Sequence, residues 1–377
     1  LQEVESFNYP AKADIIGYKP RTQGHPMQIK KALQAIKEAE RPVICCGGGV
    51  VSAGAREEMI AFARNSGIPV AATMMGIGVM PMDSPYYLGM IGSHGRTSAN
   101  KAMSEADLVI LCGARVGDRA VAAPESLAEK AKIIHIDIDP AEIGKNMTAH
   151  IPIVGDIRLV LSDLAAKVEN TVSQEWIDRV FGLKAKYPPR GEAREGCVEP
   201  RVFIRDLSAM MKDDAILVAD VGQNQIWAAR NFNVKEGRFL TSGGLGTMGY
   251  SVPAAIGAKI AKPHRQVAAV CGDGSFQMCM CELGTLIQND VDVKIIVMEN
   301  QRLGMVREFQ DKLYGCRHIG TILENGNPDF VKLAESYGIE AARAENNAQA
   351  KELAQHMLQS NRAFILVCNV DPETPSI

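Results

Sequence analysis

Short apolar runs recur along the whole chain, and each is followed by glycine, polar or helix-capping residues. The first half contains PVICCGGG, IPVAAT, DLVILCG, KIIHIDI and IPIVGD, and the second half contains AILVADVG, QVAAVCGDG, VKIIVMEN and AFILVCNV. Between the runs lie segments of helical character, as where Ile29, Ala32, Leu33 and Ile36 recur at helical spacing. Apolar strands that alternate with helices are typical of parallel sheets buried on both faces. The pattern therefore predicts an α/β fold of mostly parallel sheets flanked by helices.

The chain of 377 residues is too long for one ordinary hydrophobic core, so two domains are expected. The alternation lapses over residues 166–198, where the stretch YPPRGEAREGCVEP is charged and contains prolines. We therefore predict a lead-in linker at 1–24, a first domain at 25–165, a second linker at 166–198 and a second domain at 199–377.

The composition narrows the classes of partner and compartment. Net charge is −3, and Lys and Arg are dispersed along the chain, so nucleic acid is not an expected partner. Since no apolar run reaches the roughly 18 residues that span a bilayer, we expect no membrane association and a cytoplasmic protein. The nine cysteines lie mostly inside apolar runs, which favours reduced core thiols over disulfides. Cys279 and Cys281 lack the second ligand pair that a zinc site needs.

Two successive strands of the second domain end in oxygen-bearing side chains. Asp273 follows the run at 267–272, and Asn300 ends the next run. Flanking glycines allow a close approach of the backbone to an anion, and Ser275 can cap the helix that follows. A carboxylate at such a site would repel phosphate unless a divalent cation lay between them, and Mg²⁺ prefers oxygen ligands. The sequence therefore predicts a magnesium–phosphate site, the alternative being a capping carboxylate and a turn asparagine.

Several motifs give the chain a family resemblance. GDG followed by Glu299-Asn300 resembles the GDG…NN motif of thiamine-diphosphate enzymes, with Glu299 in place of the first asparagine. GGLGTMGYSVPAAIGAKIA, GDGSFQM, NQRLGMV, ARVGDR, KIIHIDIDPAEIGKN and Gly155-Asp156 resemble the catalytic subunits of acetolactate synthases over nearly the whole chain. The resemblance implies a central nucleotide-binding domain of the DHS-like type, followed by a C-terminal domain that binds thiamine diphosphate.

The resemblance also implies a set of site residues in the second domain. Mg²⁺ would be bound by Asp273, Asn300 and the main-chain carbonyl of Arg302. Gly246 and Met248 would be the catalytic contacts to the aminopyrimidine, with Met248 bending the cofactor. The residues implied around the diphosphate are Val221, Gly222, Gln223, Asn224 (a histidine in the family), Gly274, Ser275, Leu303, Gly304 and Met305. The alternative for Met248 and Met305 is a place in the hydrophobic core.

For the first domain the resemblance implies FAD. The implied contacts are Gly47, Gly48, Gly49, Thr73, Met74, Ser93, His94, Gly113, Arg115, Asp118, Arg119, Asp137, Ile138, Gly155 and Asp156. Gly117 replaces an aspartate that is usual in the FAD-binding branch. Glycines after a strand can also serve a turn alone, and His94 can be a polar loop residue.

The function implied is that of an acetolactate synthase, which decarboxylates pyruvate and adds the two-carbon unit to a second 2-oxo acid. It belongs to branched-chain amino acid biosynthesis or to an acetoin pathway. Phe309 stands where the biosynthetic enzymes have tryptophan, so the pocket for the second substrate is expected to be less selective.

The same resemblance implies a larger assembly. A pyrimidine-binding domain is expected before residue 1, so this chain alone is expected to be inactive. A homodimer or tetramer, with a possible small regulatory subunit, is expected. The alternatives are another thiamine-dependent decarboxylase, oxidase or acetyltransferase, of the pyruvate oxidase or sulfoacetaldehyde acetyltransferase type, or a noncatalytic nucleotide-binding module.

Overall fold

The computed structural model describes residues 6, 8–12, 14–17, 19–189 and 191–377. In the first domain these residues form a six-stranded parallel sheet in the order β3-β2-β1-β4-β5-β6. Its strands are β1 (Pro42–Cys46), β2 (Val70–Ala72), β3 (Tyr87–Met90), β4 (Leu108–Cys112), β5 (Lys132–Asp137) and β6 (Ile151–Val154). Its helices are α1 (Pro26–Glu38), α2 (Gly48–Ser52), α3 (Arg56–Ser66), α4 (Thr97–Glu105), α5 (Pro124–Lys130), α6 (Ile157–Lys167) and α7 (Gln174–Lys186), with one 3₁₀ turn at Met74–Gly76.

A second six-stranded parallel sheet has the order β11-β12-β10-β9-β7-β8. Its strands are β7 (Ile216–Ala219), β8 (Arg238–Thr241), β9 (Val267–Gly272), β10 (Lys294–Glu299), β11 (Glu340–Ala344) and β12 (Phe364–Asn369). Its helices are α8 (Pro200–Met210), α9 (Gln223–Asn231), α10 (Ser251–Ala261), α11 (Asp273–Gln277), α12 (Glu282–Gln288), α13 (Gly304–Leu313), α14 (Phe330–Ser336) and α15 (Asn347–Gln359). The predicted α/β class with two parallel sheets is confirmed.

Each sheet is buried on both faces, as its continuously apolar strands predict. In β7, Ile216 and Val218 pack into one core, and Leu217 and Ala219 pack into the core on the opposite face. Such a sheet leaves its strand ends as the places where polar groups can gather. In the second sheet the chain leaves β7 for β8 on one side and returns as β9 on the other. Ligands of open parallel sheets bind at such a reversal, so the ends of β7 and β9 mark the expected site.

Residues 166–198, predicted as a linker, contain the ordered helix α7. Trp176, Val180 and Leu183 are buried against one face of the first sheet. Their i, i+4, i+7 spacing is a helix pattern that the neighbouring charges and prolines obscured. The predicted domain boundaries themselves stay a prediction.

All nine cysteines lie in the described part of the chain, and all are free thiols. Over the same part, none of the helices has the length and apolar character needed to cross a bilayer.

Candidate cofactor site

A cleft with a cavity volume of about 130 Å³ opens where β7, β9 and β10 end, at the reversal of strand order in the second sheet. The lining residues that the sequence predicted are Val221, Gly222, Gln223, Asn224, Met248, Asp273, Gly274, Ser275, Asn300, Arg302, Leu303, Gly304 and Met305. These residues come from four separate segments of the chain, and the fold brings them to one cavity.

Asp273 lies at the base of the cleft and is 1% exposed. Its Oδ1 accepts a hydrogen bond from the Gly274 N–H at 2.9 Å. Its Oδ2 accepts from the Gln301 N–H at 2.6 Å and from Asn327 Nδ2 at 2.9 Å. Burial is the main cause that raises the pKa of this carboxyl to about 6, and the three hydrogen bonds oppose that rise. Among the described residues no cation pairs with Asp273, so a bound metal ion would supply the missing positive charge.

Asn300 directly follows β10 and lies close to Asp273, which directly follows β9, because the two strands are paired with Met298 in register with Gly272. Its Nδ2 donates to Gln223 Oε1 at 2.8 Å, which fixes the orientation of the amide. Gln223 is held in turn, because its Nε2 donates to Glu308 Oε1 at 2.7 Å and to the Thr374 carbonyl at 3.0 Å. Asn300 Oδ1 accepts from the Arg302 N–H at 3.2 Å. Asp273 and Asn300 both line the cleft, and carboxylate and amide oxygens are the donors that Mg²⁺ prefers.

Glu299, the departure from the GDG…NN motif, does not line the cleft. Its buried carboxylate forms an ion pair with Arg343 of the edge strand β11. The first position of the motif is therefore used for a structural pair in this chain, and the second position faces the site.

Two helices begin at the cleft without side-chain caps. Gly222 precedes α9 and Leu303 precedes α13, and neither supplies a capping hydrogen bond from its side chain. The first main-chain N–H groups of both helices are therefore available to an anion, which the partial positive charge of a helix N-terminus also favours. A Cβ at Gly304 would lie 1.8 Å from Gln223 Oε1, so any larger residue here would displace the Gln223 side chain from its hydrogen bonds.

Asn224 lines the cleft but uses its amide nitrogen elsewhere. Its Nδ2 donates to the carbonyls of Asp220 at 2.8 Å and Val270 at 3.2 Å. The side chain thus joins the ends of β7 and β9 across the reversal point. The resemblance implied a diphosphate contact at this position, and in this structure both amide hydrogens are directed to main-chain carbonyls.

The loop at 242–249 carries the two predicted catalytic residues, and only one of them lines the cleft. Met248 is in its wall, whereas Gly246 is exposed, with φ +66°, and lies outside the lining.

Asp220 holds the end of this loop. Its carboxylate is fully buried and accepts from the N–H groups of Val221 (2.8 Å), Gly249 (2.9 Å) and Ser251 (2.7 Å). Sequence reasoning missed Asp220, although a carboxylate directly after the run AILVA was a visible signal.

Other lining residues were missed for a different reason. Trp227, Met298 and Val306 complete the wall, together with Gly272 and Phe309. An apolar side chain at a cleft has the same sequence pattern as one in a core, so no signal distinguished Trp227, Met298 and Val306.

The candidate flavin contacts all lie at the carboxyl edge of the first sheet. Each strand of the first sheet is followed by some of them. After β1 come Gly47, Gly48 and Gly49, after β2 come Thr73 and Met74, and after β3 come Ser93 and His94. After β4 come Gly113, Arg115, Asp118 and Arg119, at the end of β5 come Asp137 and Ile138, and after β6 come Gly155 and Asp156. Three of the glycines have a packing role, since a Cβ at Gly47 would lie 2.4 Å from the Gly113 carbonyl and one at Gly49 would lie 2.7 Å from Gly113 Cα. Asp156 caps α6 by accepting from the Arg158 N–H at 2.8 Å. None of these candidate contacts lines the cleft described above.

The carboxyl edges of the two sheets approach each other through two arginines. Arg115 Nη2 lies 4.0 Å from the position of a Cβ on Gly244, in the loop that carries Met248. The Arg119 guanidinium stacks on Phe309, with its Cζ 5.4 Å from the ring centroid. Predicted flavin contacts and the wall of the cleft are therefore in direct contact.

Comparison with known proteins gives two family matches. Residues 29–164 match the model described as thiamine pyrophosphate enzyme, central domain, and residues 220–368 match the C-terminal TPP binding domain of the same enzymes. The chain is 45% identical to the probable acetolactate synthase large subunit of Methanocaldococcus jannaschii, over 98% of this chain and 64% of that protein. It is 44% identical to the acetolactate synthase large subunit of Corynebacterium glutamicum, over 97% and 60% respectively. It is 38% identical to that of Cyanidium caldarium, over 97% and 65%. The chain thus spans under two thirds of the length of these relatives.

Proposed function

The chain belongs to the thiamine pyrophosphate enzymes, whose central and C-terminal domains it contains, and on this premise we propose that it acts as the catalytic subunit of an acetolactate synthase. The observation that carries the proposal is that four sequence segments implied by the resemblance converge on one cleft, with Asp273 and Asn300 at its base. The relatives that bear the name acetolactate synthase match nearly the whole chain.

The residues of the cleft fit the cofactor. Asp273, Asn300 and the main-chain carbonyl of Arg302 would hold Mg²⁺, and the N–H groups that begin α9 and α13 would hold the diphosphate. When bound, thiamine diphosphate supplies the electron sink that decarboxylation of a 2-oxo acid requires. Met248 would orient the ring system, and the apolar wall at Trp227 and Met298 would exclude water. The substrates proposed are pyruvate and a second 2-oxo acid.

Product analysis tests this function. The full-length protein, incubated with pyruvate, thiamine diphosphate and Mg²⁺, is expected to convert two pyruvates into acetolactate and CO₂. Acetyl phosphate with hydrogen peroxide, formed in phosphate buffer under oxygen, would assign it instead to the pyruvate oxidase type. Tight binding of the cofactor without any product from pyruvate would contradict both assignments.

A second-substrate pocket is proposed at Phe309, whose ring lines the cleft beneath the Arg119 guanidinium. Phe309→Trp enlarges the ring, and we expect it to raise the preference for 2-oxobutyrate over pyruvate as second substrate by roughly tenfold, as pocket complementarity for one methylene allows. The ratio of the two products, with both acceptors present, is the measurement. Phe309→Leu, which shortens the side chain, is the matched variant, and it is expected to leave the ratio unchanged or to lower it. Equal ratios in all three proteins would contradict this role.

Asn327 is expected to position the metal-binding carboxylate. Its Oδ1 accepts from Gln277 Nε2 at 2.7 Å, and its Nδ2 donates to Asp273 Oδ2 at 2.9 Å. Partners of this kind fix the orientation of a ligand, and their loss typically weakens metal affinity about 10- to 100-fold. Asn327→Ala should show this loss in a calorimetric titration with Mg²⁺. Asn361→Ala, in an exposed turn, is the control, and an unchanged Mg²⁺ affinity in Asn327→Ala would contradict the positioning role.

FAD at the carboxyl edge of the first sheet is proposed as well. The placement of all its candidate contacts on that edge, and of Arg115 beside the Met248 loop, supports it. The visible absorption of the purified protein tests for flavin, and Arg115→Ala is expected to lower the flavin content.

Assembly as a homodimer or tetramer is proposed, with a small regulatory subunit as a further partner. Large apolar side chains are exposed on and around α13, including Leu313 (68%) and Ile319 (67%), and Leu245 is 94% exposed. Light scattering tests the assembly. A cytoplasmic location is proposed in accordance with the nine free thiols.

A further inference from the structure

A second crevice, with a cavity volume of about 570 Å³, lies between the two domains and shares no lining residue with the cofactor cleft. It is bounded by β3, the start of α4, the end of α7, α8 and the segment after α9. Four of its lining side chains are cationic and one, Asp83, is anionic; the cations are Arg96, Lys184, Arg205 and Lys235. We refer to this cavity as the basic crevice.

Arg96 is built into the wall of the basic crevice. Gly89 leaves room for its stem, since a Cβ at Gly89 would lie 2.4 Å from Arg96 Cδ. The guanidinium crosses to the second domain, where Nη2 donates to the Arg230 carbonyl. Burial, the stronger cause, and the nearby Arg205 lower the pKa of Arg96. Its charge therefore faces a neutral acceptor, and no carboxylate of the described residues forms an ion pair with it.

Lys184 adds a second cation with no partner in the described part of the chain. It lies at the end of α7 and is half-buried, and no hydrogen bond or ion pair from described residues reaches its ammonium group. Burial lowers the pKa of Lys184, and the positive charge of Arg96 lowers it further. Two cations that repel each other in a partly desolvated cavity are costly unless an anion lies between them.

The first turn of α4 opens on the same cavity. Arg96 is the N-cap of this nine-residue helix and forms no side-chain capping bond, and Ser98 in the first turn lines the crevice. Guanidinium, ammonium and helix N–H groups together are the donor set that recognises phosphate. Arg96 and Lys184 together bring two positive charges to the cavity, which a phosphate group with two negative charges would balance better than a single carboxylate.

We propose that the basic crevice binds a phosphate-bearing small molecule, held by Arg96, Lys184 and the first turn of α4, at a site separate from the thiamine diphosphate cleft. Both domains contribute to its wall, so the ligand would also stabilise their relative arrangement.

Calorimetry with three probes, inorganic phosphate, pyrophosphate and ADP, tests the proposal. The full-length protein is first saturated with thiamine diphosphate and Mg²⁺, so that the diphosphate cradle of the cleft is filled. We expect at least one probe to bind, and Lys184→Gln to weaken its binding about tenfold, as expected for loss of one charge-assisted contact. Lys186→Gln, an exposed lysine two residues further along the same helix and outside the lining, is the matched control and is expected to bind as the native protein does.

The relative affinities of the three probes show which kind of phosphate compound the basic crevice recognises. Tighter binding of ADP than of pyrophosphate would identify a nucleotide as the ligand class, whereas equal binding would show that the phosphates alone are recognised. Absence of binding by all three probes to the native protein would overturn the proposal. Equal affinities in native and Lys184→Gln proteins would also overturn it, because the phosphate would then lie elsewhere. Unchanged melting temperatures of the two variants without ligand establish that the comparison concerns binding and not folding.

Discussion

Asp273→Asn is expected to abolish magnesium-dependent binding of thiamine diphosphate while the protein remains folded. Asp273 is the one carboxylate among the described residues that line the cleft, and asparagine keeps its size but removes its charge, so a metal ion bound there would lose that charged ligand. We expect Mg²⁺ affinity to fall by more than about 100-fold, beyond the range for loss of an outer-shell partner. Calorimetric titration with Mg²⁺, and then with the cofactor, measures this directly.

The control for this substitution is Asp163→Asn, which removes an exposed carboxylate on α6 that pairs with Lys167. It changes the net charge equally and is expected to leave Mg²⁺ affinity unchanged. Retention of native affinity in Asp273→Asn would remove the basis for placing the metal at this cleft.

The same carboxyl has a predictable effect on folding in the metal-free protein. Its folded pKa of about 6 is raised above the unfolded value by burial, so the folded state binds the proton more tightly. Its contribution to stability is therefore fully present below about pH 4 and is lost as pH rises to about 6, by up to about 3 kcal/mol. In urea unfolding of native protein and Asp273→Asn, the difference in unfolding free energy should shift in favour of the variant across this window. A constant difference would contradict the raised pKa.

Asp220→Ala is expected to cost about 3–5 kcal/mol of stability, because it leaves three main-chain N–H groups without their acceptor near the end of β7. These groups belong to Val221, at the start of the cleft, and to Gly249 and Ser251, after the Met248 loop. We therefore expect weak binding of thiamine diphosphate even where the variant is folded. Urea unfolding followed at two wavelengths is the measurement.

Asp213→Ala serves as the matched control for Asp220→Ala. Asp213 is an exposed aspartate of the same domain that pairs with Lys235, and surface pairs contribute at most about 1 kcal/mol. A similar loss of unfolding free energy in both variants would show that the three hydrogen bonds accepted by Asp220 do not stabilise the fold more than a surface ion pair does.

The prediction from sequence succeeded where a pattern had one physical meaning. Continuous apolar runs between helices required parallel sheets, and both sheets are parallel. The ends of β9 and β10 were expected to share a crevice, and Asp273 and Asn300 do line one cleft. The roles assigned to individual residues by resemblance stay predictions, which the binding experiments above test.

The sequence was less informative where one pattern has two meanings. Trp176, Val180 and Leu183 lie in charged sequence that suggested a linker, yet they form a helix packed on the first sheet. Glycines 47, 49 and 113 each have a packing reason in the contact between two loops, and the nucleotide role implied for them stays a prediction. Asp220 was overlooked because a carboxylate at a strand end has the same appearance whether it binds a ligand or main-chain N–H groups.

The helix starts at Gly222 and Leu303 have a practical consequence for mutational surveys of this protein. Where a ligand is bound by main-chain N–H groups, substitution of side chains by alanine leaves those hydrogen bonds in place. An alanine scan would therefore underestimate the contribution of the cleft to ligand binding. A larger residue at Gly304, where a Cβ would displace the Gln223 side chain, is expected to show the effect that alanine substitutions miss. In a survey of substitutions in this chain, the effects at glycine positions are therefore the more informative measure of ligand binding.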